Sequence, residues 1–203
     1  MRQRHAHHAK ADTRVPLADH WARPPPIPVR VVWCALRAVG VGSQTRSAGE
    51  GRLITRHIDD HDGDIAAGIT SAARWIAANL PIYAINMILT TPHDLFALRY
   101  PDTHNLFVLH RAAGGPHRHR HLDQASGAGR VRVRSATLAT SPAVVIASER
   151  MDEDPQWRSL HPGELLHIDR NLTAHTTIAL EHPPDHQLTL ADLGHNAASQ
   201  NHQ

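Results

Sequence analysis

The side chains of this 203-residue sequence that could do chemistry fall into a few groups. Cys34 is the one thiol, a nucleophile when ionised, and alone it forms no internal disulfide. His117, His119 and His121 alternate with Arg118 and Arg120, so an extended chain would hold three imidazoles on one side, a donor set suited to zinc or nickel. The intervening arginines oppose a dication and Asp123 is the only acidic neighbour, which favours a solvated loop. His5, His7 and His8 offer adventitious metal capture rather than a built site. Asp59, Asp60, Asp62 and Asp64 with Gly63 are spaced like a calcium loop, yet the twelfth position from Asp59 is Thr70 where that loop needs glutamate, so a helix cap is expected. Ser148 and Glu149 with His161 or His167 would make a hydrolase set, but Ala147 and Glu149 flank the serine instead of the glycines of a nucleophile elbow. Asn171 to Thr173 is a glycosylation sequon with no consequence in a chain that is not secreted. These groups give no catalytic, cofactor-binding or metal-ligating residue, and no cofactor is expected.

The elements that would position such groups become regular only from Leu53. Leu53, Ile54 and Ile58 predict a short helix that ends in the acidic stretch Asp59 to Asp64, where Asp62 or Asp64 caps the next one. Ile65, Ile69, Ala72, Ala73, Ile76 and Leu80 recur at spacings of three and four, one apolar stripe on a helix stopped by Pro81. Ile82 to Leu89 is apolar on both alternating faces, as in a strand covered on both sides, and Thr90 to Asp94 turns it into a second strand at Leu95 to Tyr100. A third is expected at Asn105 to His110. The Gly-rich run Ala112 to Gly129 predicts a long surface loop, Arg130 to Leu138 a half-exposed strand, Val144 to Ala147 a buried one, and Leu165 to Ile168 and Thr176 to Leu180 two more. After Pro183 a loose polar tail is expected. Helices followed by antiparallel strands make the fold α+β.

Charge is divided unevenly. Residues 1 to 56 carry ten basic and three acidic residues, whereas residues 57 to 203 carry eleven and sixteen. The first piece also holds Pro24, Pro25, Pro26 and Pro28, and its best candidate element is the apolar run Val29 to Val41. A basic arm can bind nucleic acid, but all basic residues except Lys10 are arginine, a bias that points to a GC-rich genome rather than to that partner. No apolar run approaches the roughly 20 residues of a membrane span, and no signal-peptide core occurs in the first 30 residues, so no membrane contact and a cytoplasmic location are expected.

Four phrases in register resemble the class II glutamine amidotransferases, hydrolases of the N-terminal-nucleophile type. They are LITRHID at Leu53 to Asp59, LFALRYP at Leu95 to Pro101, VVIASE at Val144 to Glu149 with Trp157 beyond it, and PGELL at Pro162 to Leu166. The resemblance covers residues 52 to 182 and corresponds to the second half of that domain. It implies hydrolysis of the glutamine side-chain amide and delivery of ammonia to a synthetic partner. It also implies a cysteine nucleophile whose own α-amine is the base, since an amine with pKa near 7.7 to 8.0 can accept the thiol proton. The sequence opens Met1, Arg2, Gln3, and Cys34 is internal, so its nitrogen is a non-basic amide. The family's Asn-Gly oxyanion pair is absent, and where its Thr-Asp-Ser-Glu phrase would stand the chain reads Gln44, Thr45, Arg46, Ser47.

The expectation is therefore a partial αββα sandwich of antiparallel strands. An atypical basic, Pro-rich and poorly structured segment spans residues 1 to 52, an amidotransferase-like half-domain 53 to 182, and a polar tail 183 to 203. Such a chain, truncated or degenerate, would not hydrolyse glutamine as written. Glutamine becomes a ligand only with an intact N-terminus, and the alternative is a non-catalytic module that associates with a partner chain. One apolar face is expected to be undercovered.

Overall fold

The computed structural model describes residues 46–115, 122–125 and 132–193, with the side chains of 46–51, 124 and 133 left aside. Cys34, the histidines at 117, 119 and 121, those at 5, 7 and 8, the proline cluster and the run Val29 to Val41 lie outside the described residues.

Two helices open the fold, α1 (Arg46–Asp59) and α2 (Ile65–Asn79). The first is longer than its apolar residues predict, because Leu53, Ile54 and Ile58 mark only the part that packs. It ends where Asp62 and Gly63 take positive φ, and the Gly63 N–H donates back to Ile58 O at 2.9 Å. Asp64, not Asp62, caps α2 by accepting from the Ala67 N–H at 3.0 Å. The helices touch closely at Gly68, where a Cβ would come within 2.6 Å of the Ile58 backbone.

Among the described residues nine strands follow: β1 (Ile85–Thr90), β2 (Leu95–Tyr100), β3 (Phe107–Arg111), β4 (Leu122–Ala125), β5 (Arg132–Ser135), β6 (Ala143–Ala147), β7 (Arg158–Ser159), β8 (Glu164–Ile168) and β9 (Ala174–Ile178). They form a four-stranded sheet β1-β2-β8-β9, a three-stranded sheet β6-β3-β7 and the hairpin β4-β5, all antiparallel. The larger sheet consists of two local hairpins joined along one seam, Leu98 beside Leu165 and Leu95 beside Ile168, with the whole smaller sheet inserted between them in the chain.

Alternation sorts the side chains into layers. Phe96, Leu98 and Tyr100 of β2 face α2 and meet Ile69, Ala73 and Ile76. Leu95 and Ala97 face the other way, into a core shared with Val108, Val144 and Ile146 of the smaller sheet. Beyond that sheet Leu109, Val145, Leu138 and Trp157 form a third cluster. Helices, sheet and sheet are thus stacked, an α+β arrangement as expected.

Three expectations are revised, and one strand, β7, has none behind it. The strand at Ile82 begins only at Ile85, because Ile82 bridges to Gln187 instead. The supposed loop Ala112 to Gly129 contains β4, whose single described apolar anchor, Leu122, gives no alternation to read. The two-residue β7 is too short for a periodic signal. Finally, the polar stretch after Pro183 packs as far as Leu193: Leu188 N donates to Ile82 O, Thr189 and Asp192 form a capping box, and Leu193 is buried against Tyr83.

Candidate functional site

The interface between the sheets is apolar except at one end. There β1, β2 and β8 turn Asn86, Arg99 and Glu164 inward, and β7 brings Arg158 and Ser159 from the facing sheet. Each charged group has an address. Arg99 is buried and donates from Nε to His104 O at 2.7 Å, from Nη1 to Leu160 O at 2.6 Å and to Ser159 Oγ at 3.3 Å, and from Nη2 to Asp102 O at 3.2 Å. Its job is to staple the 101–106 loop and the approach to β8 by their carbonyls. Burial lowers its pKa, opposed by Asp102 and Glu164.

Glu164 is only 2% exposed and receives a bidentate pair from Arg158, at 2.8 and 2.9 Å, plus the His161 N–H at 2.7 Å. Burial pushes its carboxyl up, but the Arg158 hydrogen bonds and the His161 N–H outweigh it, and the net shift is downward. Ser159 Oγ, with one hydrogen to give, lies 3.2 Å from Leu160 O and 3.4 Å from Asn105 Oδ1. Asn86 Nδ2 donates to Asn105 O, while its Oδ1 is buried and accepts nothing among the described residues. Among the described residues it is the one buried side-chain polar atom without a partner.

A second polar group lies on the helix side. His167 stacks on Phe96 with ring centroids 4.4 Å apart and places Nε2 2.7 Å from Asp94 Oδ1. Ser148, by contrast, follows β6 in the other sheet, so the hydrolase set of Ser148 with His167 is not assembled. A serine and a histidine do meet at His57 Nδ1 and Ser71 Oγ, 3.0 Å apart beside an open groove of about 370 Å³ lined by His61, Thr70 and Arg74. No carboxylate orients the His57 ring among the described residues, and the bond ties α1 to α2. Of the four aspartates, Asp64 uses its carboxylate on the cap and Asp60 lies 4.0 Å from Arg56 Nε.

Sequence reasoning passed over Arg99, Arg158 and Glu164. The signal was present as charged residues interrupting the apolar runs LFALRYP and PGELL, where burial obliges pairing. The family described as glutamine amidotransferases class-II matches residues 57–189, more than half of the chain. This chain belongs to the class II glutamine amidotransferases. No curated protein matches it. The amidotransferase match takes in LFALRYP, VVIASE and PGELL whole, and these phrases are β2, β6 with its exit, and the turn into β8. LITRHID is the C-terminal half of α1. In this amidotransferase domain PGELL depends on its glycine: Gly163 has φ +76°, and a Cβ there would sit 1.8 Å from Leu180 O. Among the described residues no helix is long and apolar enough to cross a membrane.

Proposed function

We propose that residues 46–193 are the scaffold half of a class II amidotransferase domain and that the chain as written does not hydrolyse glutamine. The observation that carries this reading is the closure of the inter-sheet cluster. Arg99 is spent on loop carbonyls and on Ser159 Oγ, Glu164 on Arg158 and the His161 N–H, and the buried side-chain atom left without a partner among the described residues, Asn86 Oδ1, is an acceptor. Amide hydrolysis needs a nucleophile beside a base and donors for the oxyanion; loss of one such donor costs about a hundredfold to a thousandfold in rate. Cys34, the only cysteine, stands behind 33 residues and carries no free amine, and no Asn-Gly pair occurs. Glutamine binding and ammonia transfer would require groups from outside the described residues.

A second reading is a non-catalytic module that joins a partner chain, and the exposure of every residue of β9 favours it. The decisive assay is ammonia release from glutamine by the purified 203-residue chain. No release above background is expected. Turnover that a glutamine-mimicking alkylator abolishes would overturn the proposal.

A further inference from the structure

β9 is an edge of the larger sheet, and among the described residues no strand pairs with its outer side. Ala174, His175, Thr176, Thr177 and Ile178 are all exposed, on both faces, although the strand pairs with β8 in unbroken register. Natural edges are blunted by lysine, proline or a bulge, and β9 has none of these. Its free edge can be assigned. Asp169 N donates to Thr173 O and Ala179 N to Gly163 O, so the odd-numbered residues between them bond to β8 and the main-chain groups of Ala174, Thr176 and Ile178 point outward.

We propose that this edge pairs with the same edge of a second copy, antiparallel about Thr176. A two-fold axis there sets Thr176 opposite the partner's Thr176 and Ala174 opposite the partner's Ile178. Every outward N–H and C=O then lies in a narrow, hydrogen-bonded pair, as an isologous interface requires. The half-exposed Ile178 gains an apolar neighbour on the face it shares with Ala174. His175 falls opposite the partner's Thr177, so no like charges meet. Charge selects the antiparallel direction: exposed Arg170 stands six residues before Thr176 and exposed Glu181 five after it, so each arginine comes to the end that holds the partner's Glu181.

The test is analytical ultracentrifugation of the full chain over a dilution series, with hydrogen exchange at Ala174, Thr176 and Ile178. A reversible dimer is expected, with protection of those amides that rises with concentration. Thr176→Pro removes the central outward N–H and should give a monomer with unchanged circular dichroism. Arg170→Glu and Glu181→Arg should each weaken the dimer about three- to tenfold, and the double swap should restore it. Should Thr176→Pro fail to fold, the charge series decides. A monomer at every concentration overturns the proposal, as does a dimer indifferent to both changes. A monomer whose β9 amides are nonetheless protected also overturns it, because another segment of the chain then covers the edge.

Discussion

β8 and β9 are neighbours in one hairpin, yet they live in different environments. On the rung that joins Leu166 to Thr176, the leucine is fully buried between the two sheets and the threonine is exposed. On the rung that joins Glu164 to Ile178, the polarity is inverted: the carboxylate is 2% exposed and the isoleucine 50%. Main-chain pairing is the same for both strands, so pairing alone does not decide what a strand contributes. Among the described residues the smaller sheet covers the inner face of β8 and ends at β7, and no residue of β9 joins a core cluster.

Substitutions along these rungs turn that contrast into measurable differences. The largest effect is expected at Leu166→Ala, about 2 to 5 kcal/mol in urea unfolding, since a fully buried leucine leaves a cavity between two sheets. Gly163→Ala should follow at about 3 kcal/mol, from a positive φ and a clash with backbone that cannot move aside. A cost under about 0.5 kcal/mol, the ordinary surface value, would mean that the end of β9 is not fastened as described.

Glu164→Gln should cost about 1 to 3 kcal/mol, between the exposed and buried cases, because Glu164 is buried while the Arg158 side chain is 44% exposed. The same pair sets a pH dependence. The folded-state carboxyl lies below its ordinary value of 4.5, so between the two values the unfolded chain binds more protons. Its stabilisation is present above about pH 4.5 and is lost as pH falls through the folded value. Urea midpoints measured through that window should slope less in the glutamine variant, and identical slopes would remove the pair from the account. The smallest effect belongs to Thr176→Ala, within about 0.5 kcal/mol for the monomer, read by the same unfolding curves. A core-sized loss there would show that β9 is covered in the monomer.

How much of this was legible depended on whether a residue's neighbours are local. LFALRYP could be bounded because Pro92 and Pro101 punctuate it, and the α2 stripe and its aspartate cap are local patterns. Thr176 to Leu180 reads as a strand from its β-branched residues, but nothing in those residues says that no layer lies over them; exposure is a property of the other sheet's width. Arg99 and Glu164 were passed over for the converse reason. Their partners, Leu160 O and Arg158, come from β7 and its exit, and the two residues of β7 carry no period to find. The packing of 183–193 escaped because polar residues can be held by main-chain bonds, as at His186 and Gln187, without an apolar stripe.

The single seam between β2 and β8 governs how the chain finds its shape. The helix pair and the hairpins β1-β2 and β8-β9 each close over short loops and can form early, on the microsecond scale typical of such units. Leu98 and Leu165, by contrast, can meet only after the intervening chain has been brought together, with its loop-closure entropy lost before any contact repays it. Closing that seam is therefore the strand pairing that costs the most loop-closure entropy. Until it happens both sides of the seam present unpaired apolar strands to solvent, so the yield of native protein is set in a race between closure of that seam and capture of its edges by other chains.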